Sequence, residues 1–405
     1  MYKKAFKYRI YPTKQQEQAL LKTLALCREL YNASLEERKE AYRMSKIPIT
    51  YNQQANQLPE IKEIRPEYND IHSQVLQDTL RRVDKAMQNF FRRVKAGEKA
   101  GYPRFKSFNR FGSFTYPQAG YSLAHDNRVC LSKIGSIKIK LHRPIEGKIK
   151  TCTIKKEIDH WYIVFSCEVA DTEPLPENNE VVGIDLGVTH LATLSDGVVI
   201  DNPRHFRRSQ KRLIKIQQKL AQCKKGSHRR SKVKKQLAKL HRKIKNQRKD
   251  FLHKESRKLV KAYGTVVFEK LQPSNMIHRP KPKQDEITGA YLPNGAAAKA
   301  GLNTSILDVG WYQFQQYCFY KAEEAGRDIV LVNPNHTSQI CSGCGQVVKK
   351  PLSERWHSCD CGTELDRDYN AAINILRLGS SQRGGDLRRS SLLLGMGYFT
   401  MHVTT

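Results

Sequence analysis

Three acidic residues stand at the ends of predicted strands or at the start of a predicted helix, where side chains from separate elements can meet. Asp185 lies in the apolar strand Gly183-Ile-Asp-Leu-Gly187. Glu269 ends the apolar run Thr265–Phe268, and Asp368 opens a helical pattern. Each has a plainer interpretation, as a hairpin-turn acid, a strand-end acid and a helix N-cap respectively. Together, on three elements of one α/β pattern, they predict a shared site.

The chemistry of such a site follows from its ligand type. Mg²⁺ takes hard oxygen ligands, so three carboxylates suit it. A pair of Mg²⁺ ions can activate water on one side of a phosphodiester and stabilise the leaving oxygen on the other. The Gly-Ile-Asp-Leu-Gly strand also opens the nucleotide-binding hairpin of actin-like ATPases, so that motif alone leaves both classes open. Asp368, the cysteine cluster and the basic charge described below favour a metal-dependent nuclease.

Four of the ten cysteines are concentrated in two close pairs, Cys341-Ser-Gly-Cys344 and Cys359-Asp-Cys361. Two such pairs supply the four thiolates of a tetrahedral structural zinc site. The second pair has one intervening residue instead of the commoner two, so His357 stays open as an alternative ligand. The other six cysteines are scattered singly, as reduced thiols are, and not arranged as a disulfide framework. We predict a structural zinc ribbon.

The chain of 405 residues is strongly basic, since 71 Lys and Arg against 39 Asp and Glu give a formal net charge of +32. Residues 204–254 contribute most of it, with 21 basic residues and one acid, or +20. Apolar spacing there predicts an antiparallel helical hairpin. Phosphates neutralise such an excess, so a polyanionic partner is predicted. No apolar stretch reaches the ~20 residues that cross a bilayer, which excludes an integral membrane protein.

An acidic, proline-containing stretch at residues 171–180 predicts a domain boundary. Before it, alternation at residues 4–11 predicts a strand that ends near the candidate N-cap Thr13. Helical spacing then continues to about residue 96, and residues 100–170 predict a small β-barrel or sandwich.

Beyond the boundary, strands and helices alternate. The sequence predicts strands at 181–187, 191–194, 265–271 and 328–332, and helices at 311–325 and from about 368. Residues 273–304, rich in Pro, Gly, Asn and Ala, predict a mobile loop, and no structure is predicted after Gly379.

Two basic regions supply candidate nucleic-acid contacts. Aromatic and basic residues alternate at 102–111, where rings can stack on bases and cations can bind phosphates. The candidates are Tyr102, Arg104, Phe105 and Lys106 in that segment, and Arg207, Arg208, Lys211, Arg212, Lys234, Lys235 and Arg242 in the hairpin. The alternatives are that some rings belong to a barrel core and that the hairpin charges form a solvated face. The strong excess of basic over acidic residues in the hairpin favours nucleic-acid binding there.

Taken together, these motifs resemble the TnpB family, the RNA-guided nucleases of bacterial insertion sequences and relatives of type V CRISPR effectors. The resemblance runs from about residue 3 to 378. It rests on residues 4–12, Gly101–Lys106, Gly183–Gly187, Phe268–Leu271, Cys341–Gly345, and Cys361-Gly followed by Leu365–Ala372. The family's catalytic acids fall on Asp185, Glu269 and Asp368. Asp366 is the alternative to the last, and is otherwise interpreted as a helix-start residue or as a group that supports the metal ligands.

The resemblance implies an α+β multidomain fold: an N-terminal wedge β-barrel with a helical recognition insert, then an RNase H-like (RuvC) α/β domain with an inserted helical hairpin and a zinc ribbon. The expected divisions are a wedge strand at 1–12, the recognition domain at 13–98, the barrel at 99–172, a linker at 173–180, RuvC at 181–335 with the basic hairpin at 204–260, the zinc ribbon at 336–365, a last RuvC segment at 366–378 and a flexible tail at 379–405.

The resemblance also implies a function. The expected protein is an RNA-guided DNA endonuclease with structural Zn²⁺, catalytic Mg²⁺, a transposon-end-derived guide RNA and a double-stranded DNA target beside a short target-adjacent motif. It implies no membrane partner and no small-molecule substrate, and a place in the bacterial cytoplasm at the nucleoid. A nuclease-inactive RNA-guided DNA-binding regulator and a DNA-strand-joining transposase remain alternatives. Retention of all three acids favours an active enzyme.

Overall fold

The computed structural model describes residues 2–124, 126–171, 173–351 and 354–383. The chain divides into two compact units, Met1–Asp171 and Thr172–Thr405. None of the described helices combines the length and hydrophobicity needed to cross a bilayer.

The first unit combines four helices with one seven-stranded sheet, in the part of the unit that is described. Its elements are β1 (Tyr2–Tyr11), α1 (Lys14–Ser45), α2 (Tyr51–Asn56), α3 (Leu58–Ile64), α4 (Ser73–Lys95), β2 (Ser113–Tyr116), β3 (Tyr121–Ala124), β4 (Arg128–Leu131), β5 (Gly135–Lys140), β6 (Lys148–Glu157) and β7 (His160–Val169). The strand order β2-β6-β7-β1-β5-β4-β3 makes a nearly closed, barrel-like antiparallel sheet.

The N-terminal strand completes this sheet. β1 pairs with β7 from Tyr2↔Val169 to Ile10↔Trp161. The first strand of the chain therefore lies in the middle of the sheet, between β7 and β5. Its alternate residues Phe6, Tyr8 and Ile10 are buried, as the alternation predicts. Thr13 caps α1 in a capping box with Gln16, which confirms the predicted cap.

The second unit is built around a five-stranded sheet. Its elements are β8 (Val181–Asp185), β9 (His190–Leu194), β10 (Val199–Asp201), α5 (His205–Ala221), α6 (His228–Ala262), β11 (Thr265–Glu269), α7 (Pro273–Met276), β12 (Lys283–Gln284), β13 (Tyr291–Leu292), α8 (Ala296–Val309), α9 (Trp311–Ala325), β14 (Asp328–Val332), β15 (Trp356–Ser358), β16 (Glu364–Asp366) and α10 (Arg367–Arg383). The order is β10-β9-β8-β11-β14, with β8 antiparallel to β9 and parallel to β11. Together with the parallel pair β11 and β14, this is the topology of RNase H-like domains.

The basic segment forms the predicted antiparallel hairpin, α5 and α6, inserted between β10 and β11. Leu213, Leu240 and Ile244 are buried in its seam. Because the apolar residues face each other, most of the basic side chains lie on the outside of the hairpin.

The prediction of a loop at 273–304 is wrong for its last part, because α8 begins at Ala296. A long-range contact anchors this helix: the buried Asp308 carboxylate accepts hydrogen bonds from the Phe206 and Arg207 N–H groups at the start of α5 and pairs with Arg248 at 3.0 Å. α10 likewise continues four residues past the predicted end of structure at Gly379. The rest of the predicted flexible tail, 384–405, lies outside the described residues.

Candidate active site and cysteine cluster

Parallel pairing brings Asp185 and Glu269 to the same edge of the five-stranded sheet. β8 and β11 are neighbours in register up to the pair Ile184↔Phe268, and each acid directly follows one member of that pair. Carboxyl ends of adjacent parallel strands meet at one edge. The backbone carbonyl of Glu269 is also fixed, because it accepts a hydrogen bond of 3.0 Å from Nε2 of the buried Gln315 on α9.

A close helix–strand crossing brings Asp368 to the same edge. A Cβ at Gly183 would lie 2.2 Å from the Ala372 carbonyl oxygen, so only glycine lets α10 pack this tightly on β8. Asp368 lies about one helical turn before Ala372, and Asp185 lies two residues beyond Gly183. The Oδ2 atom of Asp368 would be 3.9 Å from a Cβ at Gly187, two residues past Asp185.

The three carboxyls interact electrostatically. Burial, and then the negative charges of Glu269 and Asp368, raise the pKa of Asp185 well above its usual value. Burial also raises the pKa of Glu269 and the pKa of Asp368. Gathered carboxylates repel one another unless cations neutralise them. The edge therefore offers oxygen ligands whose negative charges a divalent cation would neutralise.

Two further side chains hold these acids, and sequence reasoning missed both. The Thr337 hydroxyl donates a short hydrogen bond to Oε1 of Glu269. Nη1 of Arg355 lies 3.5 Å from Oδ1 of Asp368. Both residues lie outside the regular strands and helices, in the segment that carries the cysteines, and nothing in their spacing links them to the acids.

Asp366, not Asp368, caps α10. Its Oδ1 accepts hydrogen bonds from the backbone N–H groups of Asp368 at 2.8 Å and Tyr369 at 3.2 Å. That is the N-cap pattern, with bonds from the second and third helical residues. The plainer interpretation of Asp368 as an N-cap is therefore wrong, and its carboxylate points to the shared edge described above.

The four cysteines converge more tightly than the carboxylates do. Among the described residues they form the one group of three or more Cys, His, Asp or Glu side chains whose ligand atoms all lie within 4.8 Å of one another. The Cys341–Cys361 and Cys344–Cys359 sulfur pairs are each 3.6 Å apart. A tetrahedron with Zn–S bonds of about 2.3 Å places its sulfurs about 3.8 Å apart. The cluster could hold a zinc ion.

The two cysteine loops pack directly against each other. A Cβ at Gly343 would lie 2.0 Å from Oγ1 of Thr363, so the first cysteine loop packs directly on the second. His357, the alternative ligand, is buried beside this cluster and is not a member of the four. Although burial opposes it, backbone N–H groups and the His357 ring lower the pKa of Cys341.

Comparisons with known proteins agree with this architecture. Residues 164–279 match the OrfB_IS605 family, described as "Probable transposase". Residues 311–375 match the "Cas12f1-like, TNB domain", and residues 1–46 match the "Helix-turn-helix domain" of the OrfB_IS605 group. In this structure, residues 2–45 form β1 and α1.

Two curated relatives match nearly end to end. "Putative RNA-guided DNA endonuclease InsQ" of Escherichia coli (strain K12) is 34% identical over 380 residues, which is 93% of this chain and 92% of the relative. "Putative RNA-guided DNA endonuclease" of Streptomyces pristinaespiralis is 34% identical over 385 residues, 93% of this chain and 89% of the relative. The chain belongs to the TnpB (OrfB_IS605) family. The resemblance that the motifs carried is thereby confirmed.

The fold of this TnpB-family chain is found among solved structures. The protein of the "Cas12f1-sgRNA-target DNA complex" superposes with a TM-score of 0.55 at 14% identity, covering 92% of this chain and 98% of that one. The predicted fold class, with its barrel, RNase H-like sheet, hairpin and cysteine ribbon, is confirmed.

Most candidate nucleic-acid residues of the hairpin are exposed. Arg208, Lys211, Arg212, Lys234 and Lys235 lie on its outer surface, and Arg242 is half-buried. Arg207 is also exposed, but its guanidinium is 3.3 Å from the Gly301 carbonyl and 3.2 Å from the Ser305 hydroxyl. These contacts tie α5 to α8, so Arg207 has a structural role whether or not it meets a phosphate.

The candidate residues of the first unit are also mostly at the surface. Tyr102 and Phe105 are exposed, as is Arg104, so these two rings are not barrel core. Tyr102 meets Phe90 edge-on, with ring centroids 5.3 Å apart. Lys106 is half-buried, and its backbone N–H donates to Asn32 at 2.8 Å.

Proposed function

We propose that this chain is an RNA-guided DNA endonuclease of a transposable element. It binds a guide RNA derived from the transposon end and cleaves double-stranded DNA beside a short target-adjacent motif. The observation that carries the proposal is the meeting of three carboxyls at one sheet edge in a chain of net charge +32. The names of the two relatives support it.

Asp185, Glu269 and Asp368 are the proposed ligands of two Mg²⁺ ions. When bound, the ions activate water and stabilise the leaving oxygen of a phosphodiester. The chain itself positions the carboxylates. The ends of β8 and β11 place Asp185 and Glu269, and the capped start of α10 places Asp368. Arg355 counters the charge of Asp368.

Cys341, Cys344, Cys359 and Cys361 are proposed to bind structural Zn²⁺, since their sulfur spacing suits it. The expected divisions into wedge, recognition, RuvC and zinc-ribbon segments belong to the same proposal, as does a cytoplasmic location at the nucleoid. Phosphate contacts by the hairpin would give affinity, while base pairing with the guide would give sequence choice.

The decisive experiment is expression of the chain together with its flanking transposon end. Sequencing of copurifying RNA names the guide, and DNA matching that guide is then offered with Mg²⁺ or with EDTA. We expect Mg²⁺-dependent cutting. A complex that binds this DNA and never cuts it supports the regulator alternative, and joining of transposon ends without RNA supports the transposase.

Asp366 and Asp368 are expected to respond differently to loss of charge. Asn is a good N-cap, so Asp366→Asn should keep the α10 cap and most of the cleavage rate. Asp368→Asn should reduce cleavage by about a hundredfold or more, because a proposed metal ligand is lost. Single-turnover rates on guide-matched DNA measure both, and equal losses would mean that Asp366 shares the metal site.

Neutralising the exposed hairpin should weaken RNA binding. Replacing Lys211, Arg212, Lys234 and Lys235 by Gln should lower affinity and reduce the slope of log Kd against log salt by up to about 3, since each single-strand phosphate contact contributes about 0.7. The matched control replaces the three lysines with Arg and Arg212 with Lys, which keeps every charge. An unchanged slope in the Gln variant would show that these charges form a solvated face.

A further inference from the structure

The segment between β14 and the first cysteine pair is fastened to α10 at both ends. Nδ2 of Asn374 donates to the carbonyls of Thr337 at 2.9 Å and Ile340 at 2.6 Å. Asn370 donates to the Ile340 carbonyl at 2.8 Å and accepts from the Ser342 N–H at 2.8 Å. Both asparagines are buried. α10 thus holds residues 337–342, a stretch that includes the cysteine Cys341.

The same segment reaches the candidate active site through one side chain. Thr337 is 3% exposed and Glu269 is 7% exposed, so their hydrogen bond is shielded from water. The hydroxyl lies closer to Oε1 of Glu269 than to its other acceptor, the Pro334 carbonyl at 3.3 Å. A buried bond to a carboxylate is stronger than one between neutral groups, and it fixes the carboxylate rotamer.

We propose that Thr337 is a positioning residue that sets the orientation of Glu269 for divalent-cation binding. The inference rests on the proposed function and adds a residue that orients one of its three carboxylates. Because Asn370 and Asn374 on α10 hold the segment that carries Thr337, its hydroxyl stays beside Glu269.

Two substitutions separate the hydroxyl from the rest of the side chain. Thr337→Val keeps the volume and removes the donor, whereas Thr337→Ser keeps the donor. We expect Val to weaken Mn²⁺ binding by about tenfold and Ser to restore it to within about twofold of the original chain. Mn²⁺ is titrated into the full zinc-loaded chain, free of nucleic acid, and free Mn²⁺ is read by electron paramagnetic resonance. An Asp185→Asn titration defines the binding that belongs to other sites.

This measurement does not depend on cleavage, so it remains informative even if the proposed nuclease activity fails. With guide RNA and DNA present, Val should raise the half-saturating Mg²⁺ concentration for cutting and leave RNA affinity and zinc content unchanged. A merely structural defect would reduce zinc content or RNA affinity as well. Equal Mn²⁺ binding by the Val variant and the original chain would overturn the proposal.

Discussion

Asp185→Asn is expected to lower Mg²⁺-dependent DNA cleavage by about a thousandfold or more, with guide RNA binding unchanged. Burial, and then the negative charges of Glu269 and Asp368, raise the pKa of Asp185, so its carboxyl interacts with both of the other acids. Bound metal ions stabilise the charge of the transition state by several kcal/mol, and loss of that stabilisation corresponds to a rate decrease of about a thousandfold. The measurement is a single-turnover rate on guide-matched DNA under saturating Mg²⁺.

The same variant should be more stable than the original chain in EDTA. A carboxyl whose folded pKa is raised gives stability that is present below its unfolded pKa of about 4 and is lost as pH rises through the folded pKa. Asn cannot ionise, so the variant does not lose this stability as pH rises. The difference in Tm between variant and original chain should therefore grow as pH rises through that window and then level off.

A matched control is Glu323→Gln, which removes an exposed carboxylate from α9 in the same unit. It should change neither cleavage nor the pH dependence of Tm. Cleavage by Asp185→Asn at the original rate would remove the proposed two-metal site. A lower Tm for that variant at neutral pH in EDTA would contradict the repulsion among the three acids.

Cys361→Ser is expected to have the second-largest effect on cleavage, because the variant should lose its zinc ion. A structural zinc ion contributes on the order of 10 kcal/mol to the fold of its own small domain, so removing one thiolate of four should unfold the ribbon locally. Cys361 lies 3.6 Å from Cys341 and packs next to Gly343, so both loops lose their anchor. Elemental analysis should fall from about one zinc per chain to near zero, and cleavage should fall with it.

Cys130→Ser is the control for this substitution. Cys130 is also exposed, but it lies in β4 of the first unit. It should keep the zinc content, the Tm and the cleavage rate. Full zinc occupancy in Cys361→Ser would mean that another group can complete the site, with the buried His357 as the candidate.

Most of the regular elements and most of the residue types that carry chemistry could be predicted from local sequence patterns. Alternation at residues 4–11 predicted β1, apolar spacing at 204–254 predicted the hairpin, and two cysteine pairs predicted the ribbon. These features are local: they depend on periodicity, caps and ligand spacing within a few residues. Asp185 and Glu269 were also recognisable as candidates, because charged residues at the ends of buried strands are unusual. Asp368 was a candidate from its place at the start of a helical pattern.

Tertiary structure alone decided which groups act on those acids. Thr337 meets Glu269 across 68 residues of sequence, and Asp308 anchors α5 across about 100. Asp366 and Asp368 are two residues apart, and which of them caps α10 depends on side-chain direction, which the sequence does not reveal. Local sequence patterns indicate which side chains lie on a helix or strand. The hydrogen-bond partners of those side chains depend on how distant elements pack, because buried polar groups bond to the groups that the fold places beside them.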